Sequence, residues 1–472
     1  MCIGTSVIGA IKMIPLSLEA LSQHLGVYRV GDDVTIQDLS SDSRKIGAAT
    51  LFVALKGERF DGHDFAATAI ANGAAALMVE RELAFDIPQI IVADCQKAMG
   101  AIGAYVRDQI NPICVALTGS NGKTSVKEMI ATILSAKHQI LYTAGNFNNE
   151  IGVPLTLLRL TPEDEFGIFE LGANHKGEID YTSGLVRPNV ALVNNVGSAH
   201  LEGFGSQAGV AQAKSEIFNH LQADGTAIIN ADDAFADFMS VKARPYKQLS
   251  FSQQDGAAKR HIDVIATGHK TNADGCYRFM LNYLGESCQV VLPLAGRHQV
   301  SNALAAASVC IALGLSLTEI SEGLSQLTPV KGRMQPSQLG RVRLIDDSYN
   351  ANPVSVGAAI AWLKEISENR CLVLGDLGEL GDNAPLLHAE LGQQAKQQGI
   401  DALFCTGTLS QHTSQAFGAE HYDSVATLVE KLIKHINQLP GQVTVLVKGS
   451  RSAAMERVVD GLTVAFGRGE LV

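Results

Sequence analysis

One segment constrains the fold more than any other. Ile113 to Leu117 is a short apolar run, as expected of a parallel strand buried on both faces. Thr118-Gly119-Ser120-Asn121-Gly122-Lys123-Thr124 follows at once. From about Thr124, the apolar residues Val126, Met129, Ile130, Ile133 and Leu134 recur at helical spacing. Strand, Gly-rich turn and helix in that order aim backbone N–H groups at an anion. Gly119, Ser120, Asn121 and Gly122 form the turn, Lys123 can reach outer phosphates, and the Thr124 hydroxyl can coordinate Mg²⁺. The spacing departs from the common G-x-x-x-x-G-K-S/T pattern, because Leu117 stands in the place of the first Gly. A plain strand–helix turn with an incidental Lys is the bland alternative; the flanking strand and helix favour phosphate.

The same rhythm runs through the chain. Leu16 to Leu25 and His63 to Asn72 read as helices, Leu51 to Leu55 and Ala75 to Val79 as strands. Ile168-Phe169-Glu170, Val190 to Asn195 and Ile228-Ile229-Asn230 are apolar runs with polar ends, and the Ala-rich run Asn302 to Leu313 is a helix. Residues 261–293 alternate instead, with Gly285-Glu286-Ser287 between two strand-like runs, which predicts a hairpin or meander in or beside the sheet. Strands resume at Val342 to Asp346, Cys371 to Gly375, Ala402 to Gly407 and Val443 to Val447. Breaks near Asn111-Pro112 and from Pro329 to Pro336 divide the chain into 1–110, 111–330 and 331–472. Three units suit 472 residues. The expected class is α/β: a small N-terminal α/β unit, a central P-loop-type mainly parallel sheet, and a C-terminal Rossmann-like unit.

Composition narrows the function. Hydrophobic residues are 46% and charged residues 18%, which excludes disorder. The net charge is −11, no basic face is visible and aromatics are only 6%, so no nucleic-acid role is expected. No apolar stretch is long enough to insert in a membrane, and MCIGTSVIGAIKM lacks the marks of a signal peptide, so that Met1 or Met13 is a possible start. The eight cysteines are widely spaced with no C-x-x-C pair, which favours buried thiols over disulfides or zinc.

Further polar groups close other strands. Glu170 faces the loop's crevice and suits Mg²⁺, or is a solvated strand-end acid; the residue alone leaves both open. His200, in Ala199-His200-Leu201-Glu202, is similarly open, and Lys214 reads from spacing as an ordinary helix lysine. Ser41-Asp42-Ser43-Arg44, Asn146-Phe147-Asn148-Asn149, Asp347-Ser348-Tyr349-Asn350-Ala351-Asn352-Pro353 and Lys448-Gly449-Ser450-Arg451 are each compatible with turn chemistry. Together, at strand ends in three units, they suggest an extended polar or anionic substrate.

The phosphate loop, Glu170-Leu171-Gly172-Ala173-Asn174, Ala199-His200-Leu201-Glu202-Gly203-Phe204-Gly205 and Asp347-Ser348-Tyr349-Asn350-Ala351-Asn352-Pro353 together resemble the Mur ligases, in which Leu117 is no departure. The likeness covers essentially the whole chain after Met13. It implies an ATP-dependent ligase of peptidoglycan precursor synthesis, and within the family the step that joins D-alanyl-D-alanine to UDP-N-acetylmuramoyl-tripeptide, in a monomeric, cytoplasmic enzyme. It implies that Ser41, Ser43 and Arg44 hold the UDP sugar, and that Asn146 and Asn149 lie beside substrate and phosphates. Thr124, Glu170 and His200 match Mg²⁺ ligation, and Lys214 the lysine that is carbamylated to N-carboxylysine. Asn302 matches an adenine contact, Arg333 an ATP phosphate contact and Asp347 a ribose contact. Asn350, Lys448, Ser450 and Arg451 fall near the incoming amine and the peptide. Lys123, His200, Lys214 and Arg333 form the implied catalytic set. Asp382-Asn383-Ala384-Pro385 is read as a loop. Rival readings are another Mur ligase step, a folylpolyglutamate-synthetase-like ligase, a P-loop GTPase or small-molecule kinase, and a non-catalytic ATP-binding protein.

Overall fold

The computed structural model describes residues 13–57, 59–197, 201–254, 261–272, 274–366 and 369–467, without the side chains of 201 and 202. Met1, Cys2 and His200 lie outside them. The central sheet has nine strands, with Ile113–Thr118 between Phe166–Glu170 on one side and Val190–Val193 on the other. Both pairings are parallel. The chain leaves Ile113–Thr118 towards one side and later returns to build the other. The loop after this strand therefore sits where the strand order reverses, the place where open α/β sheets bind ligands.

Period-two alternation explains why that strand is apolar throughout. Cys114 and Ala116 pack into one layer with Val153 and Phe169. Val115 and Leu117 pack into the opposite layer, against Val126, Met129, Ile130 and Ile133 of the helix Lys123–Ser135 and the Ala-rich helix His298–Ala312. The expected strand and helix positions here hold to within a few residues.

The segment from 261 is a meander that extends the sheet. Phe251 pairs in parallel with Val264; Val264–Thr271, Cys276–Tyr283 and Glu286–Ala295 then follow antiparallel. The tight turn falls at Leu284 and Gly285, both with positive φ, as a two-residue hairpin turn requires.

The N-terminal unit carries a five-stranded sheet, in which Asp38–Ser40, Thr50–Val53, Ala76–Val79 and Gln89–Ile91 run parallel and Tyr28–Val30 antiparallel. Its core is continuous with one face of the central sheet through the helix Cys95–Ile110. Two glycines permit that contact: a Cβ on Gly103 would meet the Pro154 carbonyl at 3.1 Å, and one on Gly100 would collide with the Tyr181 hydroxyl. The expected helix His63 to Asn72 is two pieces, a 3₁₀ turn Gly62–Phe65 and a short helix Ala66–Ala71.

The C-terminal sheet has six strands in the order Gln335–Leu339, Val342–Asp347, Val443–Lys448, Arg370–Leu374, Ala402–Thr406 and His421–Tyr422. Only the first is antiparallel. It begins at the end of the expected break, Pro329 to Pro336, and Pro336 is tolerated because this is an edge strand. Asp382-Asn383-Ala384-Pro385 is not a loop throughout. A 3₁₀ turn Gly381–Asn383 passes into the helix Ala384–Gln397, with Pro in its first turn where no N–H is missed. Seven described cysteines are free thiols, five buried and Cys276 and Cys288 half-buried. No described helix is long and apolar enough to cross a membrane.

Candidate active site

The loop after Ile113–Thr118 is held by amides rather than by its own turn alone. Ser120 N–H donates to the Asn195 carbonyl and Asn121 N–H to Asn195 Oδ1. The Asn121 carbonyl accepts from the side-chain amides of both Asn194 and Asn195. Gly122 adopts φ +77°, and a Cβ there would lie 2.4 Å from Asn302 Oδ1, so only glycine fits. Lys123 Nζ bends back to the Gly119 carbonyl at 2.7 Å. Burial pushes its pKa below the ordinary lysine range, with Glu170 opposing the shift and Arg333 adding to it.

Thr124 is the meeting point. Its hydroxyl donates to Glu170 Oε2 at 3.0 Å and accepts from Arg333 Nη2 at 3.0 Å. Asn148 Nδ2 holds the other carboxylate oxygen at 2.8 Å. A hydroxyl and a carboxylate converging beside a phosphate loop suit Mg²⁺, a hard ion usually held by one or two protein oxygens plus phosphates and water. No cluster of three or more His, Cys, Asp or Glu suited to a metal occurs among the described residues.

Lys214 departs from its plain reading. On the helix Gln207–Ser215 it is 2% exposed, and its side chain makes no hydrogen bond or ion pair with the described residues. Burial, with Lys123 nearby, drives its pKa well down, which favours the neutral amine.

The C-terminal unit closes the other wall. Arg333 stacks over the Tyr349 ring, 4.4 Å from its centre. Asp347 receives Met334 N–H on one oxygen and Lys448 Nζ on the other, at 2.6 Å; Lys448 also donates to the Asn350 carbonyl. Lys448 is thus a buried partner of Asp347, at a strand end rather than in an open loop. Asn352 Nδ2 reaches Asn121 Oδ1 at 2.8 Å.

A cleft of about 930 Å³ gathers these groups. Ser120, Asn121, Gly122, Lys123, Thr124, Asn146, Asn149, Glu170, Lys214, Asn302, Arg333, Asp347, Asn350 and Lys448 all line it. Gly119 joins it only through its bond to Lys123. Ser41, Ser43 and Arg44 do not line it. They follow the strand Asp38–Ser40 in the N-terminal sheet, where Ser43 is buried and the exposed Arg44 folds onto Asp42. Ser450 and Arg451 also lie outside its lining: Ser450 N–H is tied to the Asp376 carbonyl, and Arg451 pairs with Glu456. Sequence reading missed Asn148, Asn194, Asn195 and Asn352 as individual functional residues. The repeated amides at strand ends were the available signal.

The chain is similar to known proteins along its length. Residues 35–138 match the Mur ligase family catalytic domain, 117–310 the Mur ligase middle domain, and 332–451 the Mur ligase glutamate ligase domain. The chain is 48% identical over 452 residues to the UDP-N-acetylmuramoyl-tripeptide–D-alanyl-D-alanine ligase of Escherichia coli, which covers 95% of this chain and 99% of that one. The chain belongs to the Mur ligase family. Among solved Mur ligases, MurF of Acinetobacter baumannii superposes with a TM-score of 0.91 at 38% identity, covering 96% of this chain and 99% of that one. The MurF ligase of Thermotoga maritima, solved in complex with ADP, gives 0.81 at 27% identity, with 91% and 98% covered. The Mur ligase fold therefore holds over the N-terminal, central and C-terminal units.

Proposed function

We propose that this Mur ligase joins D-alanyl-D-alanine to the free carboxylate of UDP-N-acetylmuramoyl-tripeptide, cleaving ATP to ADP and phosphate. The observation that carries the reading is the convergence of Lys123, the Thr124–Glu170 pair, Arg333 and Asp347 on one cleft. The similarity to ligases of that name supports the choice of substrates. The units divide near residues 110 and 330 and take one reactant each: UDP sugar, ATP and dipeptide. The enzyme acts as a monomer in the bacterial cytoplasm.

A carboxylate is a poor acyl donor, because its leaving group is oxide. Transfer of the γ-phosphoryl group to it makes an acyl phosphate, and the neutral dipeptide amine then attacks and expels phosphate. The protein's part is positioning and charge neutralisation. Loop N–H groups cradle the phosphates, while Lys123 exchanges the Gly119 carbonyl for a phosphate oxygen. Arg333 turns from Thr124 to the transferred group. Thr124, Glu170 and His200 would hold Mg²⁺, which supplies positive charge against the phosphates. Lys214, kept neutral by burial, would add CO₂ through its amine nitrogen and release one proton to solvent, and the oxygens of the resulting carbamate would suit the same ion. Asn302 meets adenine, Asp347 the ribose, and Asn146 and Asn149 the substrate. Ser41, Ser43 and Arg44 hold the UDP sugar. Asn350, Ser450 and Arg451 line the approach of the dipeptide.

The test is incubation with ATP, Mg²⁺, UDP-N-acetylmuramoyl-tripeptide and D-alanyl-D-alanine, followed by mass measurement of the products. The expected outcome is a pentapeptide precursor, ADP and phosphate. AMP and pyrophosphate, or ATP hydrolysis indifferent to the dipeptide, would overturn the reading.

A further inference from the structure

Asn352 does two jobs with one side chain. It is the N-cap of the helix Pro353–Glu365, where its Oδ1 accepts from Ser355 N–H at 3.0 Å and its own N–H donates to Ser355 Oγ at 3.0 Å. Capping consumes the side-chain oxygen and leaves the amide hydrogens. One of these crosses to Asn121 Oδ1 in the phosphate loop, 231 residues away in sequence, at 2.8 Å.

Asn121 is a well-held target. Its N–H and carbonyl are fixed by Asn194 and Asn195. Asn194 Nδ2 also reaches Asn302 Oδ1 at 3.1 Å, so a line of amides runs from Asn302 through the loop to the C-terminal unit. Another tie between that unit and the loop, Arg333 to Thr124, is charged, and under the proposed function phosphate competes for it. The Asn352 tie is neutral, and its geometry is pre-set by the helix cap.

We propose that Asn352 is a positioning residue: its contact with Asn121 latches the C-terminal unit onto the phosphate loop and holds Asp347 over the nucleotide. This rests on the reading that the loop binds ATP. The latch acts on nucleotide retention, not on the chemical step. Its loss therefore raises the KM for ATP and spares kcat.

The experiment uses the full chain. Asn352→Ser keeps a capping oxygen and deletes the amide donor, whereas Asn352→Ala deletes both. The Ser variant is expected to melt with the parent and keep its kcat, with the KM for ATP raised about 3- to 10-fold, the worth of one hydrogen bond. The Ala variant is expected to melt earlier as well. Asn121→Ser and the double variant Asn121→Ser/Asn352→Ser complete a cycle, which holds even where the caps differ in strength. The double is expected to show no higher KM than the worse single. Multiplied effects, or an unchanged KM in Asn352→Ser, overturn the latch. Calorimetry with ATP separates the two levels: equal affinity in parent and Ser variant sinks the latch alone, while no affinity in the parent sinks the nucleotide reading with it.

Discussion

Two sets of strand ends face each other across the cleft, and they treat charge differently. At the central sheet, Lys123 bonds only to a backbone carbonyl, and Lys214 is buried without a carboxylate among the described residues. Burial depresses both pKa values. At the C-terminal sheet, charges are answered internally: Lys448 by Asp347, Arg451 by Glu456, and Asp376 by the N–H groups of Thr408, Leu409 and Ser410. The central edge is left incomplete for an anionic ligand to finish. The C-terminal edge is finished before any ligand arrives, and serves as a shaped wall.

The contrast yields graded expectations. Lys448→Met should cost about 3–5 kcal/mol, because it strands Asp347 as an uncompensated charge in a buried setting. Denaturant unfolding reads this, and adding Asp347→Asn should recover most of the loss. A stable single variant would mean the pair is not the internal neutralisation described. Lys123→Ala should lower kcat by about 10²–10³ without lowering the melting temperature, since its charge serves the ligand rather than the fold. A large loss of stability would erase the contrast.

The smallest effect runs the other way: Lys214→Met should stabilise the chain. The unfolded state holds a proton on this lysine up to the ordinary range, and the folded state gives it up at much lower pH. Unfolding therefore takes up a proton, and stability rises with pH towards the ordinary lysine pKa. The penalty is present at neutral pH and vanishes in strong alkali. In CO₂-free buffer at pH 7, the variant should melt higher by about 1 °C for each kcal/mol recovered. The gain should shrink as pH rises towards the ordinary lysine range and be absent above it. No gain at pH 7 would show that Lys214 has a partner that answers its charge.

Legibility followed distance along the chain. The phosphate loop could be read because strand, turn and helix lie within one short stretch, and each is specified by its own residues. The meander was legible in its alternation but not in its docking, which depends on Phe251 meeting Val264. The strand Gln335–Leu339 was hidden because Pro336 argues against a strand unless the edge position is known. Spacing alone makes Lys214 an ordinary helix lysine, because local spacing carries no information about what packs on top of it; its burial is a tertiary property.

Periodicity, glycine placement and apolar runs are local properties, and they suffice to specify an α/β chain with a phosphate-binding turn at a strand end. Which charges are answered and which are left open emerges only once the sheets are assembled. Asp347 meets Lys448 across 101 residues and Arg333 meets Thr124 across 209, and burial sets the state of Lys214. The physical reason is that desolvation and pairing depend on neighbours in space, and sheet order, not sequence order, chooses them.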